Sequence, residues 1–224
     1  MKSLIDNARS FATTHVADPQ NAAAFRALGA GQSPDALFIT CSDSRVVPAL
    51  ITGARPGELF ELRTAGNVVP PYPGPGAEPA GEAATVEYAV CVLGVRDIVV
   101  CGHSHCGAVG ALVRGDDLSA IPAVRDWLEH SVAPDAAVRS LAPTSADVAE
   151  AVQAHALAQL ERLRGYPCVR ERTADGSLTL HAWYYEVHTG AVLAHRPPSE
   201  QPPPAHAPGE GARPAGVRPA FGPL

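Results

Sequence analysis

The 224-residue sequence has no run of about 18 apolar residues, the length a helix needs to cross a bilayer, so no membrane span is expected. It has no excess of basic charge. Its 17 Lys and Arg stand against 23 Asp and Glu, a formal charge of −6. Nucleic acids and anionic membranes recruit basic surfaces, so neither is an expected partner. No CxxC pair, phosphate-loop pattern or internal repeat is present. The opening MKSLIDNARSFATTH carries Asp6 and Arg9 where a signal peptide needs an apolar stretch, so export is not expected and a cytoplasmic location is. The five cysteines are an odd number, which suits free thiols, metal ligands or catalysis better than a disulfide framework.

What is present describes an ordinary globular chain. Apolar residues make up 46%, and a chain of this length buries about 70% of its unfolded surface without needing a staple. Leu4, Ile5, Ala8, Phe11 and Ala12 recur at helical spacing, which predicts an amphipathic helix over residues 3–15. A second short helix is expected over 19–28. The run Ala36–Thr40 reads as a buried strand, and residues 58–63 as another. The prolines of 70–79 dictate a loop, and 82–93 is helical in pattern, ending at Gly94. Asp97–Cys101 is the plainest strand, followed by a helix over 108–113. Helices are expected over 121–132 and 147–164, then strands over 178–187 and to Ala194. Strands alternating with helices predict an α/β fold with a mostly parallel central β-sheet flanked by helices. From Pro197 the chain is Pro-, Gly- and Ala-rich, and residues 197–224 are expected to be a disordered tail.

Two strand ends carry the chemistry. Cys41 closes the first apolar strand, and His103 and Cys106 lie just past the strand 97–101. In open parallel sheets, ligand sites form beyond the carboxyl ends of the strands. Two thiolates and an imidazole suit zinc, and three protein ligands leave a fourth position for water, as in catalytic sites. Cys106 falls at the first turn of the following helix, whose dipole favours the thiolate. Gly102 and Gly107 flank the ligands where a side chain would obstruct the turn. If the segment after Cys41 stays extended, Asp43 and Arg45 point to the same side, close enough to pair. Zinc with two thiolates and a neutral imidazole is formally neutral, so it acidifies water less than a three-histidine site. Activity is therefore expected to fall below mildly alkaline pH. Cys91 and Cys101 read as buried small hydrophobes, Cys168 has no partner motif, and the stretch Trp183-Tyr184-Tyr185 reads as core or subunit packing.

The segments Cys41-Ser42-Asp43-Ser44-Arg45 and Gly102-His103-Ser104-His105-Cys106-Gly107 resemble the two signature motifs of the β-class carbonic anhydrases. The resemblance extends over about residues 1–195 and includes Glu58-Leu59-Phe60, Arg63, Ala65-Gly66-Asn67 and Ala182–Tyr185. It implies Zn²⁺ held by Cys41, His103 and Cys106, and an Asp43–Arg45 catalytic pair. Gly107 would lie at the substrate. The implied reaction is reversible hydration of CO₂ to bicarbonate and a proton through zinc-bound hydroxide. A homodimer or homotetramer is implied, with the N-terminal helix packed on its partner. Residues 1–196 then form one zinc-dependent catalytic domain with N-terminal dimerisation helices. Some relatives bind inhibitory bicarbonate through a Trp, an Arg and a Tyr; the matching residues are Phe38, Arg63 and Tyr185. Phe38 lacks the indole N–H donor, so this inhibition is not expected. Two alternatives stand beside this reading: hydrolysis of CS₂ or COS on the same scaffold, and a non-catalytic zinc-binding regulatory module. His105 is a proton-shuttle candidate by proximity.

Overall fold

A computed structural model of the chain describes residues 1–74, 76–132, 148–196 and 220–224. Six strands form one sheet in the order β2-β1-β3-β4-β5-β6. They are β1 (Ala36–Cys41), β2 (Leu59–Thr64), β3 (Asp97–His103), β4 (Thr179–Tyr185), β5 (Val192–His195) and β6 (Phe221–Pro223). The first four pair in parallel; β5 and β6 add on antiparallel at one edge. All six residues of β1 are buried, as a central parallel strand covered on both faces requires.

Eight α-helices are described: α1 (Lys2–Phe11), α2 (Ala22–Leu28), α3 (Pro48–Thr52), α4 (Gly81–Glu87), α5 (Gly107–Arg114), α6 (Pro122–Val132), α7 (Ala149–Arg164) and α8 (Pro167–Ala174). Leu37, Ile39, Ile98 and Val100 face one way and meet Val86, Val90, Leu160, Leu163 and Tyr166. The intervening Phe38, Val99 and Cys101 face the other way, toward Trp183 and Tyr185. This alternation follows from the two-residue period of a strand. No helix among the described residues is long and apolar enough to cross a membrane.

The elements match the expected order with physical differences at the edges. The N-terminal helix gives way to a wide π-helical turn over Ala12–Val16, and the second helix begins only at Ala22. Neither α1 nor α2 has a buried residue. The short helices α3 and α8 were not expected. Each starts with proline at its first position, where the missing N–H costs nothing. The tail differs at its end: residues 197–219 lie outside the described residues, but Phe221–Pro223 form β6 instead of disorder. Phe221 supplies the apolar side chain that the rest of the tail lacks, packing on the core and 5.6 Å from the His195 ring. The Arg196 guanidinium adds a hydrogen bond to the Pro223 carbonyl at 2.7 Å.

Candidate metal centre

β1 lies between β2 and β3, so the chain departs to opposite sides of β1 on successive crossovers. The crevice beyond the β1 and β3 carboxyl ends is therefore the topological switch point of the sheet. The register pairs Thr40 with Cys101, so Cys41 and His103 leave neighbouring strands at the same level. Cys106 follows after a tight loop and is the residue immediately before α5. The ligand atoms of Cys41, His103 and Cys106 all lie within 4.8 Å of one another, and all three residues are buried. Among the described residues no other group of three potential ligands comes together in this way.

The state of these donors fits a cation. His103 Nδ1 sits 2.9 Å from the Ser104 carbonyl. A carbonyl only accepts, so Nδ1 carries the proton and Nε2 presents a lone pair. That Nε2 is buried with no oxygen or nitrogen partner among the described residues, and the ring's one side-chain neighbour in hydrogen-bond reach is the Cys41 thiol, a donor set that suits a cation. The Cys41 and Cys106 sulfurs lie within 4.8 Å of each other. A hydrogen bond from Cys106 pushes the Cys41 thiol well below its ordinary value, against the effect of burial. The same bond, together with burial, pushes Cys106 up, and the amides opening α5 only partly offset this. One thiolate forms readily, and a cation is what draws the proton from the second. The Gly66 N–H, 3.4 Å from Cys41 Sγ, adds a donor to the first thiolate.

Asp43 stands at the rim. Its Oδ2 is 3.9 Å from His103 Nε2, too far for a hydrogen bond. Arg45 grips both carboxylate oxygens, Nε to Oδ1 at 2.9 Å and Nη2 to Oδ2 at 2.6 Å. These bonds hold the Asp43 carboxyl far below the usual carboxylate range, so it is ionised. The pair forms through a turn closed by the Val46 N–H to the Asp43 carbonyl, not through an extended segment as expected. Arg45 Nη2 also reaches the His105 carbonyl at 3.2 Å, tying the two ligand loops together. His105 itself adopts a left-handed backbone (φ 56°) and exposes its ring, 6.0 Å from that of His188. The steric reading of the two glycines holds for one only. A Cβ on Gly107 would meet nothing within 4 Å, whereas one on Gly102 would collide with Val152 of α7.

Three supporting residues escape a reading by motif. Arg63 donates from Nε and Nη2 to the carbonyls of Cys41 (3.2 and 3.0 Å), Asp43 (2.9 Å) and Val46 (2.7 Å), clamping the ligand loop. His155, wholly buried on α7, makes a 2.8 Å bond between Nε2 and the Gly66 carbonyl. Desolvation lowers its pKa to about 4, so it is neutral. Gln159 Oε1 accepts from the Val69 N–H at 2.9 Å, while its Nε2 lies 3.4 Å from His155 Nδ1. Two polar residues one turn apart, His155 and Gln159, on an otherwise apolar helix face were the available signal. Cys101 is buried as expected, and desolvation pushes its thiol up to about 12. Cys91 is not buried; it faces solvent.

A mostly parallel sheet with a buried Cys/His/Cys set at its switch point defines a metal-site α/β protein. Residues 36–192 match the family model described as carbonic anhydrase. A carbonic anhydrase of Pseudomonas aeruginosa is 46% identical over 196 residues, covering 87% of each chain. The solved β-carbonic anhydrase CcaA superposes with a TM-score of 0.77 at 41% identity, covering 88% of this chain and 95% of that one. A tetrameric β-carbonic anhydrase of Sordaria macrospora gives 0.73 at 28% identity, covering 86% and 95%. The chain belongs to the β-carbonic anhydrase family, a family of lyases (carbonate dehydratases).

Proposed function

We propose that the chain catalyses CO₂ + H₂O ⇌ HCO₃⁻ + H⁺ with a zinc ion held by Cys41, His103 and Cys106. The observation that carries this reading is the buried set of one imidazole and two thiols whose ligand atoms all lie within 4.8 Å of one another. Zinc, when bound, supplies the Lewis acidity that makes water a nucleophile near neutral pH. The protein's own groups do the rest. Asp43, kept ionised by Arg45, is an acceptor that orients the attacking oxygen. Arg45 keeps that carboxylate from turning onto the metal, and Arg63 holds the loop from which both hang. Gly107, the first residue of α5, is assigned to the substrate, where the helix N-terminus would favour the negative charge that develops on oxygen. Val109, Val152 and Tyr184 pack around the cysteines and keep bulk water from them.

The exposed Leu4, Ile5 and Phe11 of α1 support a homodimer or homotetramer in which a second copy covers them. Arg63 spends its donors on loop carbonyls, which supports the absence of inhibitory bicarbonate binding. Metal analysis with stopped-flow CO₂ hydration, run beside CS₂ and COS hydrolysis, tests the function. One zinc per chain and CO₂ turnover is the expected result. Zinc without CO₂ turnover would overturn it, and turnover of CS₂ or COS alone would move the reading to those substrates.

A further inference from the structure

The carboxyl end of β2 carries a backbone donor onto the metal centre. The turn Ala65–Asn67 follows that strand and brings the Gly66 N–H to 3.4 Å from Cys41 Sγ. Sulfur is a weak acceptor, so the peptide that carries the N–H has to be aimed by something else. Two helices aim it. Trp127, half-buried on α6, donates its indole Nε1–H to the Ala65 carbonyl at 3.0 Å. That carbonyl and the Gly66 N–H belong to the same peptide unit. The bonds therefore run in series, indole N–H to carbonyl and amide N–H to sulfur, each polarising the next. His155, buried on α7, holds the following peptide by its 2.8 Å bond to the Gly66 carbonyl. A carbonyl only accepts, so Nε2 is the donor and Nδ1 is left to accept from Gln159. Gly66 itself has φ 75°, and a Cβ there would come within 3.0 Å of Ala108 Cβ on α5, so the turn needs glycine to sit this close.

We propose that Trp127 and His155 are positioning residues of the metal centre, which together fix the Gly66 amide on Cys41 Sγ and so weaken that thiolate's donation to the ion. The inference rests on Cys41 being a metal ligand, as proposed above. A hydrogen bond to a metal-bound thiolate draws electron density from the sulfur, and the ion keeps more of its positive charge. Two thiolates and one imidazole leave a divalent ion formally neutral, with little Lewis acidity to spare. A donor aimed at one of those sulfurs restores part of it, in the way that outer partners tune other metal ligands. Trp127 acts through one peptide unit; His155 acts by keeping the next from rotating.

The test uses the whole chain loaded with Co²⁺ in place of Zn²⁺, whose sulfur-to-cobalt charge-transfer band reads the energy of the thiolate lone pair. Trp127→Phe keeps an aromatic ring on α6 and removes the indole N–H; His155→Leu removes the other donor. Each should move the band to longer wavelength, and each zinc-loaded variant should release its metal to a chelator about 10-fold faster than the parent. His155→Gln, whose amide nitrogen reaches as far from the backbone as Nε2, should restore the parent band. Val124→Ala loosens the packing of the same helix without removing a donor and should leave the band in place. A band unmoved in either Trp127→Phe or His155→Leu, or moved as far by Val124→Ala, overturns the proposal and leaves the metal ligands as assigned. A parent with no sulfur-to-cobalt band overturns the ligand assignment, and the proposal with it.

Discussion

Replacing Gly102 with alanine is the sharpest probe of how the fold carries the centre. The residue is the last of β3 before His103 and opposes Tyr184 on β4. A Cβ there falls far inside the van der Waals contact of Val152 Cγ1, with the Val152 carbonyl at 3.4 Å and Ala156 Cβ at 3.9 Å behind it. Val152 is wholly buried on α7, and a β-branched side chain on a helix has essentially one rotamer, so it cannot turn away. Relief must come from shifting α7 off the sheet or β3 out of it. Forcing one extra carbon into a packed core costs about 1–3 kcal/mol. A Cβ so far inside contact belongs in the upper part of that range, about 2–3 kcal/mol; removing a strand glycine returns about 0.5–1 kcal/mol of chain entropy, so the clash wins by about 1–2.5 kcal/mol. For a chain of this size that lowers Tm by about 2–10 °C. The same shift moves His103, so metal should also be lost faster to a chelator.

Val152→Ala alone costs about 2 kcal/mol for its two buried methyl groups and the void they leave. In the double variant the new methyl group occupies part of that void. The two changes should therefore couple favourably by about 1 kcal/mol or more. Urea unfolding of the four zinc-saturated proteins at pH 7 reads the cycle. Strict additivity, or a Gly102→Ala protein as stable as the parent, refutes the reasoning. Gly110→Ala on α5 is the control. Its Cβ meets only the Arg114 guanidinium, 2.6 Å away at the end of a flexible side chain. It should be neutral or stabilising by up to about 1 kcal/mol through helix propensity.

Asp43→Asn should keep its zinc by metal analysis but lose at least about 100-fold in CO₂ hydration, since the charged acceptor is gone; Cys106→Ala should lose the metal itself. His155 carries a pKa of about 4 when folded and about 6.5 when unfolded. The unfolded chain binds the extra proton, so stability falls as pH drops from 6.5 toward 4, by about 2 kcal/mol between pH 7 and 5. Urea unfolding should show this loss in the parent and a smaller one in His155→Gln; equal losses would remove His155 as the cause. Turnover should rise toward alkaline pH, as a formally neutral Cys₂His–zinc set requires, and a flat pH–rate profile would contradict it. Arg63→Met should release the Cys41–Val46 loop, which carries Asp43 and Arg45, and so speed zinc loss to a chelator.

The candidate Cys41/His103/Cys106 donor set and the Asp43–Arg45 pair were legible because their chemistry is local. A Cys that ends an apolar strand, a carboxylate two residues on and a guanidinium two further are bound to share one loop. The buried runs of β1 and β3 were equally plain, since Ala36–Ile39 and Ile98–Cys101 are each four consecutive apolar residues bounded by turn-forming segments. The clamp from Arg63 was not legible, because its partners lie 17 to 22 residues earlier and are backbone carbonyls that any residue supplies. Cys91 was misread because a helical wheel of 3.6 residues per turn does not describe the π-helical turn that carries it. β6 was missed because composition averages over a tail, while three residues around one phenylalanine suffice to pair with an open edge.

Residue order alone determined which donors this protein offers a metal, which strands end in them and that helices alternate with those strands. These follow from side-chain chemistry and short-range periodicity, which act over a few residues. Tertiary packing decided which strand lies beside which, which histidine nitrogen faces inward and which thiols lie together. Those outcomes depend on groups tens of residues apart meeting in a close-packed interior, where the fit of Val152 against Gly102 counts for as much as any motif.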